Sequence, residues 1–156
     1  MTPNNVIHSY EVGFKMRELA RLTGICSEEE AFIIGYLHDI GKEFLKERPM
    51  YIHNKVGEKV LKIIGLSYAD IVGAHGDPDS VLLHNPIVKM LNYCNLTVDH
   101  DGTSVTVEER ISGVIERYGV NSKQYKDVIQ IVDSLNQGDW TIKDFEEYSG
   151  VDNVTK

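Results

Sequence analysis

At 156 residues the chain is sized for one compact unit, long enough to bury about two-thirds of the surface its unfolded form exposes. A formal net charge of -8 without a visible basic cluster argues against a broad nucleic-acid or anionic-membrane surface. Apolar runs of only a few residues exclude a membrane-spanning helix, which needs roughly 20.

No N-terminal leader pattern is read, and Cys26 and Cys94 form neither a CxxC pair nor a disulfide framework, so a soluble protein of a reducing cytoplasm is expected. An anionic substrate such as a phosphate ester would require a local reversal of sign, which a bound divalent cation supplies most directly.

In chain order the apolar periodicity is helical nearly throughout, predicting an all-α fold of six or seven helices. The first helix carries His8 in line with Val12, Met16 and Leu19 and ends at Gly24. Ser27 and Glu30 have capping-box spacing and open a second helix through AFIIGYL. Ala31, Ile34, Gly35 and His38 form one stripe of it, whose small residues permit close helix contact. Phe32, Ile33, Tyr36, Leu37 and Ile40 cover most of the remaining circumference, so this helix is expected to be central and His38-Asp39 to be buried.

A turn is expected from Lys46 to Met50. His53 then heads a stripe of Val56, Gly57, Val60 and Ile64, and after Gly65 the residues Tyr68, Ile71 and Val72 share a face with His75. Beyond the turn at 76–80, Asn85-Pro86 opens a helix running from Pro86 to about Leu96. Thr106 and Glu109 give a second capping box, following a polar DHDGTS loop. Further helices occupy about 106–149, broken at Gly119 and Gly138, and residues 150–156 lack periodicity and are expected to fray. With no repeat, low-complexity tract or linker, the whole of 1–156 is expected to be a single domain.

A lone inward histidine is ordinarily a core residue satisfied by a backbone carbonyl. Four of them, His8, His38, His53 and His75, each on its own helix and beside a buried aspartate, favour a metal centre instead. Imidazole and carboxylate suit first-row divalent metals, and helical bundles build such sites from inward side chains. His84, just before a helix start, and His100, in the DHDGTS loop, are read as surface residues.

His8, His38-Asp39 in HDIGK, His53 in YIHNKVGEKVL and His75 in IVGAHG together resemble the HD-domain superfamily of metal-dependent phosphohydrolases, over roughly residues 6–99. The two extra histidines are similar to those of members that hold two metals, including the bacterial dinucleoside tetraphosphate hydrolases. That resemblance implies that His8, His38 and Asp39 hold one ion, that His53 and His75 hold a second, and that Asp39 bridges. It further implies a water activated by two ions roughly 3.5 to 4 Å apart attacking phosphorus. The substrate class implied is a nucleotide or another small phosphorylated molecule.

Iron or manganese is favoured for a His/Asp centre, with zinc, nickel, cobalt and magnesium as further candidates. Lys42 in HDIGK contacts a substrate phosphate in related members; here it is either that contact or a solvated lysine at a helix end. Cyclic-dinucleotide phosphodiesterases are disfavoured because no GYP segment accompanies HDIGK, and alarmone hydrolases because their fold is larger.

The chain departs from the family where an Ala-Asp-Leu segment usually supplies a closing aspartate: Cys94-Asn95-Leu96 stands there. Asn95 offers an amide oxygen without charge, and Asp99, one turn further if the helix continues, is the alternative carboxylate. Asn95 is the favoured positional equivalent. The missing charge also allows a different class of function, an inactive module that binds a nucleotide-like ligand.

Overall fold

The structure, a computed structural model, describes residues 2–45 and 52–155, with side chains through Gly150. In chain order α1 spans Pro3–Thr23, α2 Glu28–Leu37, a 3-10 helix Ile40–Phe44, α3 His53–Ile63, α4 Ala69–Ala74, α5 Pro86–Leu96, α6 Val107–Tyr118, α7 Lys123–Leu135 and α8 Ile142–Thr155. The fold is all-α; outside the helices, an isolated antiparallel bridge pairs Val98 with Ser104.

Eight α-helices are thus present among the described residues, where six or seven were expected. The short helix expected between Gly65 and His75 is α4, Ala69–Ala74. Helix α8 runs to Thr155, through the residues expected to fray; no proline interrupts it after Gly150. The turn expected over 46–50 lies outside the described residues.

Helix starts follow their capping residues. Ser27 accepts from the Glu30 N–H, Asn85 accepts from the N–H groups of Ile87 and Val88, and both arms of the Thr106–Glu109 box are formed. Gly24 closes α1 with φ 73°, its N–H donating to the Ala20 carbonyl.

The central helix is α5 rather than α2. Every residue from Val88 to Cys94 is buried, and Val88, Leu91 and Cys94 share a core with Val12, Met16 and Leu19 of α1 and Phe145 of α8. Tyr93 stacks on Phe145 with ring centroids 5.1 Å apart. Lys89, 2% exposed, sends its ammonium to the carbonyls of Gln137 (2.7 Å) and Asp139, and burial pushes its pKa down.

Only one face of α2 is buried, Ala31, Ile34 and Gly35. Its aromatics lie toward the surface, where Phe32 and Tyr36 join Tyr10 and Phe14 in a ring cluster. The small residues on α2 permit the expected close approach. A Cβ on Gly35 would stand 2.7 Å from the Gly13 Cα and 2.9 Å from the Val12 carbonyl oxygen, so α1 and α2 cross backbone to backbone.

Among the described residues no helix is long and apolar enough to cross a membrane.

Candidate metal centre

The crossing of α1 and α2 sets the His8 and His38 rings side by side, 5.1 Å between centroids. His8 lies mid-helix on the buried stripe of Val12, Met16 and Leu19, as expected. The other three histidines stand at helix ends; the expected stripes of Ala31, Ile34 and Gly35 with His38, and of Ile71 and Val72 with His75, are buried, and only that of α3 departs. His38 is the C-cap of α2 and is followed by Asp39, His53 is the first residue of α3, and His75 is the C-cap of α4. All but the half-buried His53 are buried, as is Asp39.

Because His53 reaches inward from a helix end, the buried face of α3 is Asn54, Gly57 and Leu61, while Ile64 of the expected stripe is 63% exposed. Gly41 of HDIGK has a similar packing role. A Cβ there would fall 1.9 Å from the His53 carbonyl oxygen and 2.7 Å from the Gly57 nitrogen, so the 3-10 helix rests directly on α3 and carries Asp39 to His53.

Backbone carbonyls fix the rings. The Nδ1–H of His38 donates to the Gly35 carbonyl (2.6 Å), that of His75 to the Val72 carbonyl (2.5 Å) and that of His8 to the Asp99 carbonyl (2.9 Å). With Nδ1 protonated, each Nε2 presents a lone pair, the arrangement metal-ligating histidines ordinarily show.

Those lone pairs converge in two groups. In the first, the Nε2 atoms of His8 and His38 are 3.2 Å apart, with Asn95 Oδ1 at 3.0 Å from His8 and 3.2 Å from His38. Asp39 Oδ2 lies 3.6 Å and 3.3 Å from the same two nitrogens. In the second, Asp39 Oδ1 is 2.9 Å from His53 Nε2 and 3.6 Å from His75 Nε2, themselves 3.3 Å apart. His8, His38 and Asp39 could hold one ion, and Asp39, His53 and His75 another. Facing lone pairs repel unless a cation or proton lies between them, and the donor set fits a divalent first-row metal.

The family model for the HD domain matches residues 5–138. The chain belongs to the HD-domain family. That family comprises metal-dependent phosphohydrolases. Comparisons with curated proteins and with solved structures gave no match.

The electrostatics of this HD domain suit cation binding. Burial, reinforced by the charge of His38, lowers the His8 pKa to about 4, and burial lowers that of His75 to about 4 despite its bond to Asp39. Both are therefore neutral at neutral pH, as ligation requires. Burial alone would raise the pKa of Asp39, but positive charge on His38 and hydrogen bonds that His38, His53 and His75 donate when their rings are protonated hold it well below the ordinary value. Lys42 Nζ lies 2.8 Å from Asp39 Oδ2.

Asn95 faces the first group, and the Asp99 carboxylate does not. Helix α5 stops at Leu96, and Asp99 turns its carboxylate to the His100 N–H (2.9 Å), the His100 ring (3.0 Å) and Arg117 (3.7 Å). His84 and His100 are exposed, outside both groups.

Three supporting residues escaped the sequence reading. Asn54 Nδ2 donates to the carbonyls of Gly73 (3.0 Å) and His75 (3.3 Å), and Asn92 Oδ1 accepts from the Gly76 N–H (2.8 Å), so both pin the turn carrying His75. Arg110 Nη1 donates to the carbonyls of Asn95 (3.2 Å) and Val98 (2.7 Å) and secures the end of α5. A polar residue beside His53, and another one turn before Asn95 in an apolar stretch, were the available signals for the asparagines. Arg110 had none, since it follows a capping box like any solvated residue.

Proposed function

We propose that this HD domain is a cytoplasmic metal-dependent phosphohydrolase that cleaves a phosphate ester or anhydride of a nucleotide or similar small phosphorylated molecule. The observation that carries this reading is the convergence of four imidazole Nε2 atoms on the two oxygens of one buried carboxylate. His8, His38, Asn95 and Asp39 Oδ2 would hold one ion, and His53, His75 and Asp39 Oδ1 a second, with iron or manganese favoured. When bound, such ions acidify a water and offset the charge that develops on a phosphoryl group.

The chain's own groups set the direction of approach. The His38 and His75 side chains are 0% and 1% exposed and form the closed wall, whereas those of His53 and Lys42 are 22% and 26% exposed and mark the open side. A substrate phosphate entering there meets the Lys42 ammonium, which would orient it by charge. With a net charge of -8, the reading assigns neither nucleic acid nor membrane as a partner.

Assay of a panel of nucleotides and phosphate esters with added manganese or iron tests this reading. Turnover that disappears in Asp39→Asn is expected; no turnover with any metal would refute it. Asn95 favours a second reading, a binding module without catalysis, because the amide brings no charge. Ligand-dependent melting shifts without product would select that alternative.

A further inference from the structure

The metal-facing groups are short of negative charge. Among the described residues, the two groups able to hold an ion share a single carboxylate, Asp39. Asn95 contributes only a neutral amide oxygen, the nearby Asp99 carboxylate is engaged by His100 and Arg117, and Lys42 adds a positive charge 2.8 Å from Asp39 Oδ2.

Two divalent cations bring four positive charges and Asp39 removes one, leaving roughly three in an enclosure that weakens screening. A second cation therefore enters against strong repulsion from the first. An anion reaching the open side beside Lys42 and His53 would relieve that repulsion.

We propose that Asn95 makes the loading of this centre depend on its anionic ligand: the protein alone holds one ion firmly, and the second is held together with a phosphate group. This rests on the two-ion reading above and adds to it an order of assembly. Coupling of this kind is reciprocal, so phosphate strengthens binding of the second ion by the same factor as that ion strengthens binding of phosphate. A carboxylate at position 95 would supply the missing charge permanently and abolish the dependence.

The test is a manganese titration of the chelator-stripped full chain by equilibrium dialysis, with and without inorganic phosphate, for the parent and Asn95→Asp. The parent should bind about one manganese without phosphate and about two with it, affinity for the second ion rising at least about tenfold. Asn95→Asp should bind about two without phosphate, with the phosphate effect reduced to below about threefold. A parent that binds two ions equally well without phosphate, or never more than one, overturns the inference. An Asn95→Asp protein as phosphate-dependent as the parent also overturns it. Two ions irrespective of phosphate leaves the hydrolase reading standing, whereas no manganese under either condition removes both. The parent titration decides the matter even where the variant fails to fold.

Discussion

The Nδ1–H of His8 is donated at 2.9 Å to the backbone carbonyl of Asp99, while the carboxylate of the same Asp99 faces His100 and Arg117. Asp99 thus orients a metal-facing ring through a group that no side-chain substitution deletes. Asp99→Ala should leave manganese affinity within about threefold of the parent, while Asn95→Ala should lower it by about tenfold or more. Calorimetric titration separates the two, and a large loss at Asp99 with none at Asn95 would reverse the assignment.

Asp39 supplies one oxygen to each group, so Asp39→Asn should deplete both ions, whereas His75→Ala should remove about one. Equilibrium dialysis against manganese in the presence of inorganic phosphate, where the parent is expected to hold about two ions, reads the difference. If His75→Ala retains full metal and only its melting temperature falls, His75 is a core residue held by the Val72 carbonyl and nothing more.

Stability should depend on pH through His8 and His75. Their folded pKa values of about 4 lie below the unfolded value of 6.5, so between the two the unfolded chain binds more protons. Stability is consequently lost as pH falls from 6.5 toward 4, by at most about 1.4 kcal/mol per pH unit for each ring. Asp39, held low, adds its own loss only at more acid pH, below 3.8. Melting of the metal-free protein across this range should show the decline, and His75→Gln should make it shallower; a flat profile would mean that the rings protonate without cost.

Gly41→Ala should be more damaging than an ordinary glycine substitution. The new methyl would meet the His53 carbonyl and the Gly57 nitrogen, both backbone, so the 3-10 helix or α3 must move. A loss of about 1–3 kcal/mol or more in denaturant unfolding is expected. Manganese bound in the presence of phosphate should fall from about two ions toward one, because displacement of α3 carries His53 away from Asp39. An alanine variant with full stability and two ions in the presence of phosphate would show that the 3-10 helix and α3 separate without cost.

The His/Asp cluster was legible because chemistry-bearing residues are rare in apolar stretches: His8, His38-Asp39 and His75 stand out where valine or leucine would serve. The start of α5 at Pro86 and the cap at Thr106 were legible because caps act through local hydrogen bonds. The inner face of α3 was read in part: Gly57 is buried as expected, but Asn54 and Leu61 complete the face rather than Val60 and Ile64, since a helical stripe assumes that His53 projects sideways, whereas it reaches inward from a helix end. The centrality of α2 was overestimated because periodicity counts apolar residues without knowing that Tyr10 and Phe14 cover Phe32 and Tyr36 near the surface. Arg110 and the carbonyl of Asp99 were illegible, as their work is done by the end of α5 arriving beside α1 and α6, which no local pattern encodes.

The family match ends at residue 138, yet packing does not end there. Phe145 is 0% exposed and stacks on Tyr93, and the carbonyl of Asp139 helps hold the buried Lys89 ammonium. A truncated chain stopping at 138 would retain every metal-facing side chain. It would nevertheless strip an aromatic partner from α5 and leave a buried cation with one fewer acceptor, on the helix that presents Asn95. The boundary visible to sequence comparison therefore falls inside the cooperative unit, and trimming to it should loosen the centre from behind without touching a ligand.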